Sequence, residues 1–229
     1  MRTFILFIII ISSSVRSEEV LNISFGEELP PWISFTKEKG IIYNIIKDCL
    51  KGSNIKIKPI YVPYSRRLPE YQGGRASAVS DISPNMIKTF KLKGYYTGEL
   101  YSYENFAYTL KSNKIKLEKI SDLSQYSLIS WQGAIEHLGG EYAAMAKANS
   151  RYHEISSQKT QVKMLYLNRY QVVQMDSQIF EYYKEMIEKE GDINTSLEIE
   201  RFPLFGKSRN GVLFKSKKLR DYCVNNLKK

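Results

Sequence analysis

Residues that hold metal ions are scarce in this chain of 229 residues, which has only two cysteines and two histidines. Neither His137 nor His153 has a cysteine or paired carboxylates at the spacing of a metal site. The sequence also lacks the Gly-x-Ser-x-Gly, His-Glu-x-x-His and phosphate-loop motifs of many enzymes. We therefore expect no metal, no cofactor and no enzyme activity, with both histidines acting as surface or helix-capping residues.

Long apolar runs are also missing, except for Phe4–Ile11 near the start of the chain. This run is far shorter than the roughly 20 residues that a membrane-spanning helix needs. Arg2 precedes it, and Val15-Arg16-Ser17 follows it with residues suited to signal-peptidase cleavage. The pattern is typical of a secretory signal peptide over residues 1–17. We expect a mature chain that begins at Glu18, carries no lipid anchor and works in the periplasm.

No run of five like charges occurs, although the formal net charge is +10. The lysines are instead scattered singly, as at Lys37, Lys39, Lys47 and Lys51. Because an exported chain seldom meets nucleic acid, we expect no nucleic-acid partner. Two interpretations of the charge stay open, namely a solvated basic surface and a surface that recruits anions.

Apolar residues follow two spacings along the chain, one typical of strands and one typical of helices. Residues 55–62 alternate as a strand does, whereas residues 41–50 place their apolar side chains on one helical face. The order strand, helix, strand, helix, strand predicts an α/β unit, and the same rhythm restarts after Asn113. We therefore predict two α/β lobes with a ligand cleft between them. The expected boundaries are 18–107 and 202–229 for lobe 1 and 108–201 for lobe 2, with crossings near 106–110 and 197–201.

Several short stretches resemble, in their order along the chain, the motifs of one protein family. They are Leu29-Pro30-Pro31-Trp32, Gly40-Ile41-Ile42, Val62-Pro63-Tyr64-Ser65-Arg66, Trp131-Gln132-Gly133, residues 167–176 and residues 210–215. On these residues the chain resembles extracellular solute-binding protein family 3, the periplasmic amino-acid-binding components of ABC importers. The resemblance implies a two-lobe periplasmic binding protein type II fold, in which the chain crosses between the lobes twice.

Candidate ligand contacts follow from the resemblance and from the residue types. Trp32 comes after two prolines and is suited to form an apolar platform, while Asp176 is suited to hold a ligand amino group or to cap a helix. Arg66 and the backbone N–H groups of the Gln132-Gly133 turn are two alternative anion sites. The predicted ligand-binding residues are Trp32, Tyr64, Arg66, Tyr101, Gln132, Gly133 and Asp176.

One departure from the family pattern concerns the ligand. Amino-acid binders carry a Thr-Pro-Glu-Arg motif whose Arg holds the ligand carboxylate, and this chain has Ser83-Pro84-Asn85-Met86 instead. Since Met86 cannot bind a carboxylate, common L-amino acids are expected to bind weakly or through Arg66.

The two cysteines, Cys49 and Cys223, lie in segments that are predicted to be helical. An oxidising compartment permits a disulfide, and the resemblance places both helices in the first lobe. The sequence leaves open whether the two Cα atoms come within the ~7 Å that a disulfide requires.

These observations together predict a binding protein. We expect a periplasmic monomer that captures a small polar solute, amino-acid-like or related, for an ABC importer. Two alternatives stay open, a sensor that reports ligand to a membrane receptor and a catalytic relative of the same fold. The expected partners are therefore the solute and either a membrane permease or a membrane sensor.

Overall fold

The computed structural model describes residues 19–34 and 39–228. The predicted signal peptide and Glu18, the predicted start of the mature chain, lie outside these ranges. Within the two ranges, no helix combines the length and the apolar character that crossing a membrane requires.

All ten strands of the described chain belong to one continuous sheet. The strands are β1 (Glu19–Phe25), β2 (Ile55–Tyr61), β3 (Ala78–Ile82), β4 (Tyr95–Tyr96), β5 (Tyr101–Leu110), β6 (Leu128–Trp131), β7 (Tyr152–Ile155), β8 (Val172–Asp176), β9 (Ile199–Phe202) and β10 (Lys207–Phe214). Neighbouring strands follow the order β2-β1-β3-β10-β5-β8-β6-β7, while β4 pairs with β10 and β9 with β5. We call β1 to β4 with β10 the first half-sheet, and β6 to β9 the second half-sheet.

The first half-sheet has a parallel core, as the strand–helix–strand rhythm predicts. β1 pairs in parallel with both β2 and β3, and all five residues of β3 are buried. β1 reads Glu-Val-Leu-Asn-Ile-Ser-Phe, and its last three residues are buried. β10 returns antiparallel to β3, and Gly211 within it is needed because a Cβ there would lie 2.0 Å from the Gly98 carbonyl oxygen.

β5 is the longest strand and belongs to both halves of the sheet. Residues 101–104 pair with β10, whereas residues 105–110 pair with β8 and β9. In the second half-sheet, β6 pairs in parallel with both β7 and β8. The sheet therefore passes from one half to the other through β5.

Eight α-helices and three short 3₁₀ turns complete the described chain. The helices are α1 (Ile41–Cys49), α2 (Arg67–Gln72), α3 (Pro84–Thr89), α4 (Ala134–Leu138), α5 (Gly140–Ala148), α6 (Gln158–Tyr166), α7 (Ser177–Glu190) and α8 (Lys217–Asn226), and the turns are Tyr64–Arg66, Lys111–Asn113 and Ile120–Gln125. Four helices follow a residue whose side chain accepts a hydrogen bond from their first backbone N–H groups. These capping residues are Ser83, Ser157, Asp176 and Ser216.

A disulfide joins the first helix to the last. α1 buries Ile42, Ile46 and Cys49 and packs against α8. Cys49 and Cys223 are bonded, with their Cα atoms 4.4 Å apart across a sequence separation of 174 residues. The pairing that the sequence left open is therefore formed.

The α/β class predicted from the sequence is confirmed, and most of the predicted elements are present within a few residues of their expected ends. Three short elements were not anticipated, and one of them is β4, which has only two residues. β7 reads Tyr-His-Glu-Ile, which has no clear alternation, and α3 has only six residues and begins at a proline. Such short segments carry too few apolar positions for a periodic pattern to show.

Candidate ligand-binding site

A cavity of about 160 Å³ lies where the two half-sheets meet. The first half-sheet and its connections contribute Tyr64, Asp81 and Ser208 to its lining, and β5 contributes Tyr103 and Asn105. The second half-sheet and its connections contribute Gln132, His137 and Asp176. Since one water needs roughly 10–15 Å³ of such space, the cavity has room for a small organic solute.

Alternate residues of β5 face this region. Side chains two positions apart project to the same face of a strand, so Tyr101, Tyr103 and Asn105 form one row. Across the sheet, Tyr103 pairs with Ser208 and Asn105 pairs with Asp176. One row of β5 therefore brings polar groups from both half-sheets to one place.

Asn105 is held by a buried chain of side-chain hydrogen bonds. Gln174 donates from Nε2 to Oδ1 of Asn105 at 2.8 Å, and the Ser130 hydroxyl donates to Oε1 of Gln174. All three residues are buried, so their orientations are fixed by one another. The amide of Asn105 is thus presented to the cavity in one orientation.

Asp176 lines the cavity but its carboxylate is already fully engaged. Oδ1 accepts from the Trp32 indole N–H and from the backbone N–H groups of Gln178 and Ile179, while Oδ2 accepts from the Glu104 backbone N–H. Burial raises the pKa of Asp176, and these four donors oppose that rise because they favour the ionised form. A carboxylate offers about four acceptor sites, so Asp176 acts here as a helix cap and as an anchor for Trp32.

Trp32 is buried and does not line the cavity. Its indole donates to Asp176 at 3.0 Å and packs edge-on against Tyr103, with ring centroids 4.6 Å apart. The first N–H groups of α1 hold the loop before it, because Ile42 donates to the Trp32 carbonyl oxygen. Gly40 allows this approach, since a Cβ there would lie 2.6 Å from that oxygen.

Asp81, the penultimate residue of β3, has a left-handed backbone conformation, with φ of 61°. It is 5% exposed and lines the cavity, and its Oδ1 has no hydrogen-bond partner among the described residues. Its own N–H donates to the Tyr101 hydroxyl at 2.8 Å. A buried carboxylate oxygen without a partner is unusual, because burial without compensation is costly.

The adjacent arginines differ completely in their surroundings. Arg66 is exposed at the end of the 3₁₀ turn, away from the cavity. Arg67 is fully buried, lies 3.8 Å from the centroid of the Tyr64 ring and donates to the carbonyl oxygens of Ser80 and Asp81. Its Nε and Nη2 have no partner among the described residues, and it does not line the cavity either.

Backbone N–H groups at the turn of Gln132 and Gly133 bind a carboxylate of the protein itself. Gly133 N–H donates to one carboxylate oxygen of Glu154 at 2.8 Å, and Ile135 N–H donates to the other at 3.0 Å. The Tyr152 hydroxyl donates to the same carboxylate at 2.7 Å. The backbone donors that the sequence suggested for a ligand anion are therefore occupied by Glu154, while Gln132 lines the cavity.

His137 lines the cavity instead of lying at the surface, so the expectation for this residue was wrong. Its ring packs against Tyr64 and Trp131, with centroids 4.9 and 5.1 Å away. Burial lowers the pKa of His137. His153 is exposed, as predicted.

The predicted residues are only partly brought together. Tyr64, Gln132 and Asp176 line the cavity, whereas Trp32, Arg66, Tyr101 and Gly133 do not. Their contact with a ligand stays a prediction. The sequence reasoning did not select Asp81 or Asn105, and the alternation of β5 was the available signal for Asn105.

Solved structures share this fold. The GluR0 ligand-binding core in complex with L-glutamate aligns with a TM-score of 0.70 at 12% identity, covering 93% of this chain and 91% of that one. A histidine kinase sensor domain with similarity to periplasmic binding proteins aligns with a TM-score of 0.70 at 10% identity, covering 92% and 90%. The ancestral amino-acid-binding protein AncCDT-1, a precursor of cyclohexadienyl dehydratase, gives 0.65 at 14% identity, covering 91% and 88%. No protein-family model matches the chain, and no curated protein matches it.

These similarities define the class of fold. The chain has the periplasmic binding protein type II fold, which the short sequence motifs had predicted. Other structures that it resembles are substrate-binding proteins of amino-acid ABC transporters. At these identities the likeness shows the fold, so the ligand has to be argued from the cavity itself.

Proposed function

We propose that this chain is a periplasmic solute-binding protein that captures a small polar solute and presents it to an ABC importer. The observation that supports this most directly is the cavity at the junction of the half-sheets. It combines apolar walls with a few oriented polar groups, as small-molecule sites do. A cavity between two lobes also suits a protein that holds its solute by closing around it.

The division into lobes follows the strand pairing in this proposal. One lobe comprises residues 19–104 and 207–228, and the other comprises residues 105–202. β5 forms the first crossing near Glu104, and the segment before β10 forms the second. Contacts such as Tyr64 with His137 and Trp32 with Asp176 then join the two lobes in a closed arrangement.

A ligand screen tests the proposal. The full mature chain is heated with amino acids, short peptides, polyamines and organic acids, and a bound solute is expected to raise the melting temperature. At a hundredfold excess over the dissociation constant, the expected stabilisation is about 2.7 kcal/mol. Small-angle X-ray scattering should then show a smaller radius of gyration with the solute than without it.

A matched pair of variants locates the binding. Ser208→Trp fills the cavity from β10, whereas Ser124→Trp adds the same ring on the exposed Ile120–Gln125 turn. The first variant should abolish the solute-dependent shift and the second should keep it. Equal binding by both variants would exclude the cavity as the site. Recovery of a chemically altered solute would instead favour a catalytic relative of this fold.

A further inference from the structure

The cavity lining is acidic, in contrast to the basic chain as a whole. Four carboxylates line it, those of Glu27, Glu28, Asp81 and Asp176, and no lysine or arginine of the described ranges does so. Burial lowers the pKa of His137, which favours its neutral form, and the charge of the buried Arg67 acts in the same direction while that of Asp81 opposes it. An acidic, partly buried cavity attracts cations and disfavours anions.

Three places at which a ligand carboxylate could have been bound are not available to it. Met86 is packed in an apolar cluster with Leu68 and Leu92, outside the cavity. The N–H groups at the start of α4 already bind the Glu154 carboxylate. Arg67 is fully buried and does not line the cavity, so a solute placed there does not contact it.

Asp176 and Asp81, the two buried acids of the cavity lining, differ in their capacity to bind a cation. Asp176 accepts four hydrogen bonds from the protein, which leaves it little capacity for a ligand. Asp81 is 5% exposed, and its Oδ1 accepts no hydrogen bond from the described residues, although its carboxylate interacts with the Tyr103 hydroxyl. A buried carboxylate with spare acceptor capacity is the natural partner of a positively charged N–H donor.

The remaining walls are suited to hydrocarbon. Leu29, Ile33, Leu138 and Ile179 line the cavity, together with the rings of Tyr64 and Trp131. Such walls favour an alkyl chain attached to the charged group.

We propose that the cavity binds an alkyl amine or guanidine that is protonated and carries no carboxylate, with its charged end paired to Asp81. This inference rests on the proposed function and names the class of its solute. It distinguishes the ligand from an α-amino acid, whose carboxylate would share a lining that has four carboxylates and no lysine or arginine of the described ranges.

Titration calorimetry on the full mature chain with ligand pairs that differ only by a carboxylate tests the proposal. The pairs are agmatine with arginine, and cadaverine with lysine. The amine of each pair is expected to bind at least about tenfold more tightly than the amino acid, because the amino acid adds an unpaired anion to an acidic cavity. Equal or tighter binding of the amino acids would overturn the proposal.

A variant tests the role of Asp81 in the same titration. Asparagine tolerates the left-handed backbone conformation, so Asp81→Asn removes the charge with little strain. Amine binding should weaken at least about tenfold, whereas Asp48→Asn, at an exposed position on α1, should leave it unchanged. Unchanged binding by a folded Asp81→Asn variant would exclude Asp81 as the partner.

A second comparison uses the parent protein, so it tests the need for a positive charge even if Asp81→Asn does not fold. Cadaverine is compared with 1,5-pentanediol, which has the same chain length without the charges, and only cadaverine should bind. If neither amine binds but amino acids or organic acids do, the cation inference is wrong while the proposed function stands. If no solute of the whole panel binds, the proposed function fails as well.

Discussion

The indole Nε1 of Trp32 donates a hydrogen bond of 3.0 Å to Oδ1 of Asp176, which lies 144 residues further along the chain. Trp32 belongs to the loop between β1 and α1, and Asp176 caps α7 at the end of β8. The bond therefore connects the first half-sheet to the second beside the cavity. A loop aromatic and a helix cap together form one contact between the two half-sheets.

The first prediction concerns this contact. Trp32→Phe keeps an aromatic ring but removes the donor to a buried carboxylate, and hydrogen bonds to charged groups contribute about 1.5–3 kcal/mol. We expect the closed arrangement to loosen, with a larger radius of gyration in small-angle scattering and roughly 10–100-fold weaker solute binding. Tyr182→Phe, at an exposed position on α7, is the control. A Trp32→Phe protein as compact as the parent would contradict this role.

The second prediction concerns Glu154, whose carboxylate binds the backbone N–H groups at the start of α4. Glu154→Gln leaves the N–H groups of Gly133 and Ile135 without their charged acceptor, so the free energy of unfolding should fall by about 1–3 kcal/mol. Urea unfolding measures this loss. The exposed Glu188→Gln on α7 should change the free energy by less than about 0.5 kcal/mol. Equal effects of the two substitutions would show that Glu154 does not support this turn.

The third prediction concerns the disulfide. Its loop spans most of the chain, and cross-links of this kind stabilise proteins by about 2–5 kcal/mol. The double variant Cys49→Ala/Cys223→Ala should lose stability in that range in guanidinium unfolding. Thiol titration of the unfolded exported protein should detect no free thiol, and two thiols per chain would show that the bond is absent.

The fourth prediction concerns pH. Because burial holds the pKa of His137 below 6.5, the unfolded chain binds a proton at this residue at a higher pH than the folded chain does. The folded state should therefore lose stability as the pH falls below about 6.5. The pH range from roughly 7.5 to roughly 5.5 brackets the ordinary histidine pKa. Over this range, His137→Gln should lose less stability than the parent does. His153→Gln, at an exposed position, should behave as the parent does, and a parent-like response of His137→Gln would contradict the assignment.

The sequence predicted the fold better than the site, for physical reasons. The apolar periodicity of an element such as α1 involves many residues, so one atypical residue does not change the prediction. Arg66, at the end of a 3₁₀ turn, is exposed, whereas the next residue, Arg67 at the start of α2, is fully buried. No pattern in the sequence indicates which of two adjacent side chains is buried.

Long-range pairing also limits what the sequence reveals. Asp176 was correctly predicted as a helix cap from its local position. Its bond to Trp32 and the occupation of Gly133 by Glu154 depend on how separate elements meet in space. The importance of Asp81 likewise follows from its unpaired oxygen and its place near the end of β3, neither of which the sequence shows.

The central claim is that a solute binds between the lobes, and a crystal structure with a solute from the screen tests it most directly. We expect electron density for the solute between Asp81, Tyr103 and Asn105, enclosed by both half-sheets. Density on the outer surface instead, for example in the groove beside Lys111 and Phe202, would contradict binding between the half-sheets.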